Sequence, residues 1–140
     1  MGFGTWGNGR PTFRQPSRGF QDVMAAAAEG AGSGGIDSLD LLIATAAADQ
    51  GEQLLTRLGA SRVAIEIAAL RARPGREPSP GLSTDAKVVI ETAVNRALRR
   101  GVNPDIPDVL VGLVLADCLA RPVLAAHGVV ADRLLELVGE

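Results

Sequence analysis

Residues 36–46, Ile36-Asp37-Ser38-Leu39-Asp40-Leu41-Leu42-Ile43-Ala44-Thr45-Ala46, have an echo at 106–116, IPDVLVGLVLA, an offset of 70 along the chain. In that registration Ile36 falls on Ile106, Ile43 on Leu113, and the helix-entry residue Ser38 on Asp108. Carried upstream, the same offset sets Phe20 on Ile90, Met24 on Val94 and Ala27 on Ala97. One residue shorter, an offset of 69 sets Leu54 on Val123, Leu55 on Leu124, Gly59 on Gly128 and Phe13 on Leu82. Apolar positions meet apolar positions and glycine stops meet glycine stops, so the chain reads as two copies of one helical unit.

Helical spacing and cap residues predict the elements around that stretch. In the first half they fall at 17–29, from Ser38 onward through Leu39, Leu42, Ile43 and Ala46, at 52–58, and at 61–70. In the second half they fall at 83–100, 108–117, 122–127 and 130–138. Between the halves, 71–81 (RARPGREPSPG) holds three prolines and two glycines and can be neither helix nor strand. Four short helices bury their apolar faces poorly alone, whereas two such units packed together share a core. The expected fold is therefore all-α: two pseudo-symmetric four-helix repeats, 17–70 and 82–140, fused into one eight-helix domain at 17–140. A ligand groove is expected at the seam. Residues 1–16 read as a Gly-, Pro- and Arg-rich flexible tail whose last aromatic, Phe13, docks ahead of the first helix.

Composition narrows the function. Only 3% of the 140 residues are aromatic and 46% are hydrophobic, so the core is aliphatic. The net charge of −2 supplies no cationic footprint for nucleic acid. Lys87 is the one lysine among 14 basic residues, which confines lysine chemistry to a single position. Nothing has the length and apolarity of a membrane span or signal peptide, so a cytoplasmic protein with no membrane partner is expected. The lone Cys118 cannot pair internally and reads as an apolar filler. His127 falls on Leu58, a packing position before a helix stop, with no ligand-spaced partner. No metal, no cofactor and no catalytic arrangement is expected, and the chain is not read as an enzyme. The clusters Arg96, Arg99, Arg100 and Arg71, Arg73, Arg76 read as solvated helix ends.

The second half reads Leu82-Ser83-Thr84-Asp85-Ala86-Lys87-Val88-Val89-Ile90-Glu91, and the first contributes Ile36 to Ala44 and Leu54-Leu55-Thr56-Arg57-Leu58-Gly59. This double pattern resembles the Clp repeat, which occurs twice in the N-terminal domains of Clp-family unfoldases, actinobacterial ClpC-type domains above all. The likeness covers about residues 13–140. It implies a non-enzymatic docking module whose partners are Clp unfoldase or protease components, substrate or adaptor proteins, and cyclic-peptide antibiotics. The nucleotide-binding G-x-x-x-x-G-K-[ST] of the unfoldases is missing. The chain then acts either freestanding, as an adaptor-like protein or an antibiotic-sequestering decoy, or as the substrate-recognition fragment of a larger Clp ATPase.

Four positions depart from the family. Many ClpC-type domains carry Thr-Glu-His at the start of the second helix of each repeat, with the Glu resembling the carboxylate that recognises phosphoarginine. Ser38-Leu39-Asp40 and Asp108-Val109-Leu110 stand there instead, so Leu39 and Val109 imply loss of that reading. The resemblance places the peptide surface at Phe13, Leu82, Lys87, Ile90, Glu91 and Val94. Lys87 and Glu91, four apart on one helix face, suit a peptide backbone or, more simply, form a solvated ion pair. Leu82 stands where a Phe is common, and Asp22 where an apolar residue is usual.

Overall fold

The computed structural model describes residues 15–73 and 81–139. Eight α-helices lie among them: α1 Arg18–Ala31, α2 Ser38–Ala47, α3 Asp49–Arg57, α4 Arg62–Ala72, α5 Thr84–Arg100, α6 Ile106–Leu115, α7 Ala120–Ala126 and α8 Ala131–Val138. The fold is all-α and double, four helices to each half. The described residues hold no strand, only a parallel bridge joining Ile36 to Leu82. Most of the tail with Phe3, Trp6 and Phe13, and most of the linker with Arg76, fall outside the described residues.

The caps fix the true register of the repeat. Ser17 and Ser83 each accept the amide N–H three residues on and open α1 and α5, an offset of 66. Asp37 and Asp105 open α2 and α6 as reciprocal capping boxes with Asp40 and Asp108, an offset of 68. Leu58 and His127 close α3 and α7, an offset of 69. The offset of 70 expected for the first two helices is thus corrected. Along α1 it is wrong by one helical turn, because apolar positions recur every three or four residues and a slip of four still lays apolar on apolar. Phe20, Val23 and Ala27 correspond to Ala86, Val89 and Ala93, all buried.

The cap expected at Ser38 moves as well. Ser38 is fully buried, and its hydroxyl is committed across the seam, so the cap falls to Asp37. By the same register Leu39 corresponds to Pro107 rather than Val109. Helices α3 and α7 begin earlier than expected, at Asp49 and Ala120, and α6 spans Ile106–Leu115 rather than 108–117.

The core sits on α2 and α6. Leu39, Leu41, Leu42, Ala44 and Ala46 of α2 and Val109, Leu110, Val111, Leu113 and Val114 of α6 are all buried. Apolar residues run around most of both helices because neighbouring helices cover most of their circumference. The flanking helices are one-sided, as α5 shows, burying Ala86, Val89, Ala93 and Ala97 and turning Lys87 and Glu91 outward. No single helix among the described residues is long and apolar enough to cross a membrane.

Each repeat is tied to the other by an exchanged pair of backbone hydrogen bonds. The Ser17 N–H donates to the Pro104 carbonyl at 2.8 Å, and the Ser83 N–H donates to the Ile36 carbonyl at 2.8 Å. The start of the first helix of either half is therefore anchored on the loop before the second helix of the other. That crossing fuses two marginal bundles into one core.

Candidate functional site

On α5 and its approach, Leu82, Ile90 and Val94 are half-buried while Lys87 and Glu91 are exposed. Leu82 and Ile90 pack against the core, so they form a floor held in place from beneath, with a cation and a carboxylate standing beside it. Positions 87, 90, 91 and 94 share one helical face, which is how a face presents an apolar strip with polar edges to an extended peptide. No ion pair joins Lys87 to Glu91 in the structure, so neither charge is neutralised by the other. The corrected register puts Gln21, Met24, Ala25 and Ala28 at the positions equivalent to Lys87, Ile90, Glu91 and Val94. The face thus exists in one copy only. Asp22, on the outer side of α1, is exposed and pairs with Arg18 at 3.3 Å. Phe13 lies outside the described residues.

The base of that face is held by Asp85, a residue that no sequence motif singles out. Its carboxylate accepts the Ser38 hydroxyl at 2.5 Å and amide at 3.2 Å, the Ser83 hydroxyl at 2.5 Å, and the Leu119 amide at 3.0 Å. The Ser38 hydroxyl in turn accepts the Ala120 amide at 3.0 Å. One carboxylate therefore joins the entries of α2, α5 and α7 across the seam. Burial pushes the Asp85 carboxyl up, but the hydrogen bonds from Ser38, Ser83 and Leu119 outweigh it and hold it below its ordinary value of 3.8. A folded-state value below the unfolded one means that the stabilisation is complete above the unfolded value. It is lost as pH falls through the folded one. Asp85→Asn is expected to cost about 1–3 kcal/mol at neutral pH, by removing acceptors from buried donors. It should also flatten the loss of stability below about pH 4. Urea midpoints measured from pH 7 to pH 2.5 check both parts.

Two of the buried carboxylates, Asp40 and Asp108, each hold an arginine. Arg96, 1% exposed, pairs with Asp108, 2% exposed, inside the second repeat. The expectation of a solvated Arg96 is therefore wrong. Arg96 lies on the same face of α5 as Ala86, Val89 and Ala93, and Asp108 sits at the third position of α6, so burial drives them together. Arg99 and Arg100 do stand exposed at the end of α5. In the first repeat Asp40 pairs with Arg73 at 2.5 Å, correcting the reading of Arg73 as simply solvated, while Arg71 is exposed. An arginine at an apolar position of a helix face, three turns before an acidic helix entry, was the available signal.

Cys118 is buried, and burial raises its thiol above the ordinary value of 9.0, with its Sγ 3.5 Å from the Leu113 carbonyl. The His127 ring lies 3.0 Å from the Val123 carbonyl at the end of α7. Among the described residues no group of three His, Cys, Asp or Glu side chains could hold a metal ion.

Three hollows are lined by described residues. One of about 500 Å³ straddles the seam, where Ile106 meets Gly19, Val23, Ala44 and Ala48. A second of about 600 Å³ lies between Ile67, Arg71 and His127, and a third of about 250 Å³ lies beside Asp40. None of these three is lined by Leu82, Lys87, Ile90, Glu91 or Val94.

No protein-family model matches this chain, and no curated protein matches its sequence. Solved structures match its fold. One, described as "Preliminary structural investigations of a malarial protein secretion system", superposes with a TM-score of 0.76 at 15% sequence identity, over 89% of this chain and 92% of that one. The likeness is therefore one of fold: nearly the whole path of this chain, with both halves, is similar to that of a component studied in a malarial protein secretion system.

Proposed function

We propose that this chain is a non-enzymatic peptide- or protein-binding module of the Clp protease and chaperone system, resembling the N-terminal domains of Clp-family unfoldases. It docks a substrate, an adaptor or a cyclic peptide on the α5 face. The observation that carries the reading is the unpaired Lys87 and Glu91 flanking the core-anchored Leu82 and Ile90 on one helix. The double four-helix architecture, shared with a structure from a secretion-system study, supports it. A preformed apolar floor with one free donor and one free acceptor can bind a peptide without rearranging, which keeps the ordering cost low.

Titration with a cyclic peptide that targets Clp unfoldases tests this. Saturable binding with a dissociation constant of about 10 µM or tighter, near −7 kcal/mol, is expected, with backbone amide shifts centred on residues 87–94. Lys87→Ala should weaken it by roughly tenfold, about 1.4 kcal/mol, without changing thermal stability. Failure to bind with the fold intact, together with a lysate pull-down recovering neither Clp components nor their substrates, would overturn the reading.

A further inference from the structure

The hollow beside Asp40 gains meaning from the register of the two repeats. Gly30 of α1 corresponds to Arg96 of α5, and Asp40 corresponds to Asp108. In the second repeat, Arg96 leaves the helix at that position and its guanidinium meets the buried Asp108. In the first repeat no side chain leaves position 30, and a Cβ built on Gly30 meets nothing within 4 Å. What remains is a space of about 250 Å³ walled by Ala26, Gly30, Ile43, Ala47 and Leu70, with the Asp40–Arg73 pair at its edge.

Asp40 is as buried as its counterpart, at 4% exposure, and still needs a cation. It borrows one from the end of α4. Arg73 reaches in from the rim with about a third of its side chain in solvent (32%), and its buried Nε–H has no acceptor among the described residues. A buried donor left unmade weakens the hold of Arg73 on this place. The first repeat thus keeps the carboxylate and the room for an arginine stem but lacks the side chain that fills them in the second.

We propose that this hollow receives an arginine side chain of a partner peptide, whose guanidinium takes toward Asp40 the position that Arg96 takes toward Asp108, displacing Arg73. The occupant is arginine rather than lysine because the guanidinium is weakly hydrated and planar, suited to a buried carboxylate, while its stem packs on the alanine walls. The hollow shares no residue with the α5 face and does not depend on the function proposed for it. It is also distinct from the position of Leu39, which is fully buried.

The test is a titration of the isotope-labelled full chain with acetyl-Ala-Arg-Ala-amide, followed by amide shifts, beside the lysine and the uncharged citrulline versions. Saturable shifts at Ala26, Gly30, Ala44, Ala47 and Leu70 are expected with arginine, weaker ones with lysine, and none with citrulline. Gly30→Arg supplies the missing side chain, so it should abolish the shifts while raising the melting temperature. Arg73→Gln removes the internal competitor and should tighten binding several-fold. The proposal is overturned by any of three results: no saturable shifts in the parent chain and Arg73→Gln alike, undiminished binding in Gly30→Arg, or loss of binding in Arg73→Gln, which would move recognition to Arg73. Shifts confined to residues 87–94 would place the peptide on α5 and count against the hollow.

Discussion

Replacing Arg96 with methionine is expected to cost about 3–5 kcal/mol, because it leaves the Asp108 carboxylate buried without its counter-ion. Both partners are essentially removed from water, at 1% and 2% exposure, so solvent cannot take the place of the lost guanidinium. A domain of this size has a total stability of about 5–15 kcal/mol, so the variant should sit close to unfolding at room temperature. The comparison with Arg73→Met makes the argument specific. That arginine is 32% exposed and stands at the rim of a hollow, so water can reach Asp40 once it is gone. Its removal should cost only about 1–2 kcal/mol. Urea unfolding of the two variants beside the parent decides the matter. Equal losses would mean that burial of the pair is not what sets its worth.

Gly112→Ala is expected to destabilise the chain by about 3 kcal/mol, lowering the melting temperature by roughly 10 °C. By helix propensity alone the change should stabilise by about 1 kcal/mol, so the predicted sign depends on the helix crossing. A Cβ at position 112 would lie 2.6 Å from the Val89 carbonyl oxygen and 3.2 Å from its Cγ1. The obstacle at 2.6 Å is backbone, which cannot rotate away, so α6 must move off α5. The first repeat holds Ala44 at the equivalent place, opposite the α1 face that carries Val23. The two halves have therefore solved one crossing with different spacing. Ala44→Gly gives the control, because it removes a methyl from a crossing already built around one. It should cost about 1 kcal/mol from propensity, and somewhat more because the buried methyl no longer packs against α1. A stabilised Gly112→Ala variant would show that the two helices yield at little cost.

Much of the geometry of the α5 face was legible because which residues share a helix face depends on local spacing. Lys87, Ile90, Glu91 and Val94 share a face by helix geometry alone, and in the folded chain the charges point outward with Ile90 against the core. The hub at Asp85 was not legible. Its partners Ser38 and Leu119 come from 47 and 34 residues away, and no local pattern marks a carboxylate that will accept four hydrogen bonds at a seam. The fate of Arg96 was half-legible. Its place on the apolar face of α5 was visible, but without Asp108 in view a charged residue near a helix end reads as solvated.

By itself, then, the sequence determined the helices, their punctuation by serine, aspartate, glycine and proline, and the doubling of the four-helix unit. All of these follow from short-range chemistry: cap hydrogen bonds, missing N–H groups and apolar residues every third or fourth position. The tertiary structure alone decided the register between the copies, since a slip of one turn keeps apolar on apolar and only the caps and buried pairs distinguish the alternatives. It also decided which charges were buried. That choice rests on which groups are brought within hydrogen-bond reach once the halves close on each other. In this chain it yields a carboxylate with its own arginine in one repeat and a carboxylate beside an unfilled space in the other.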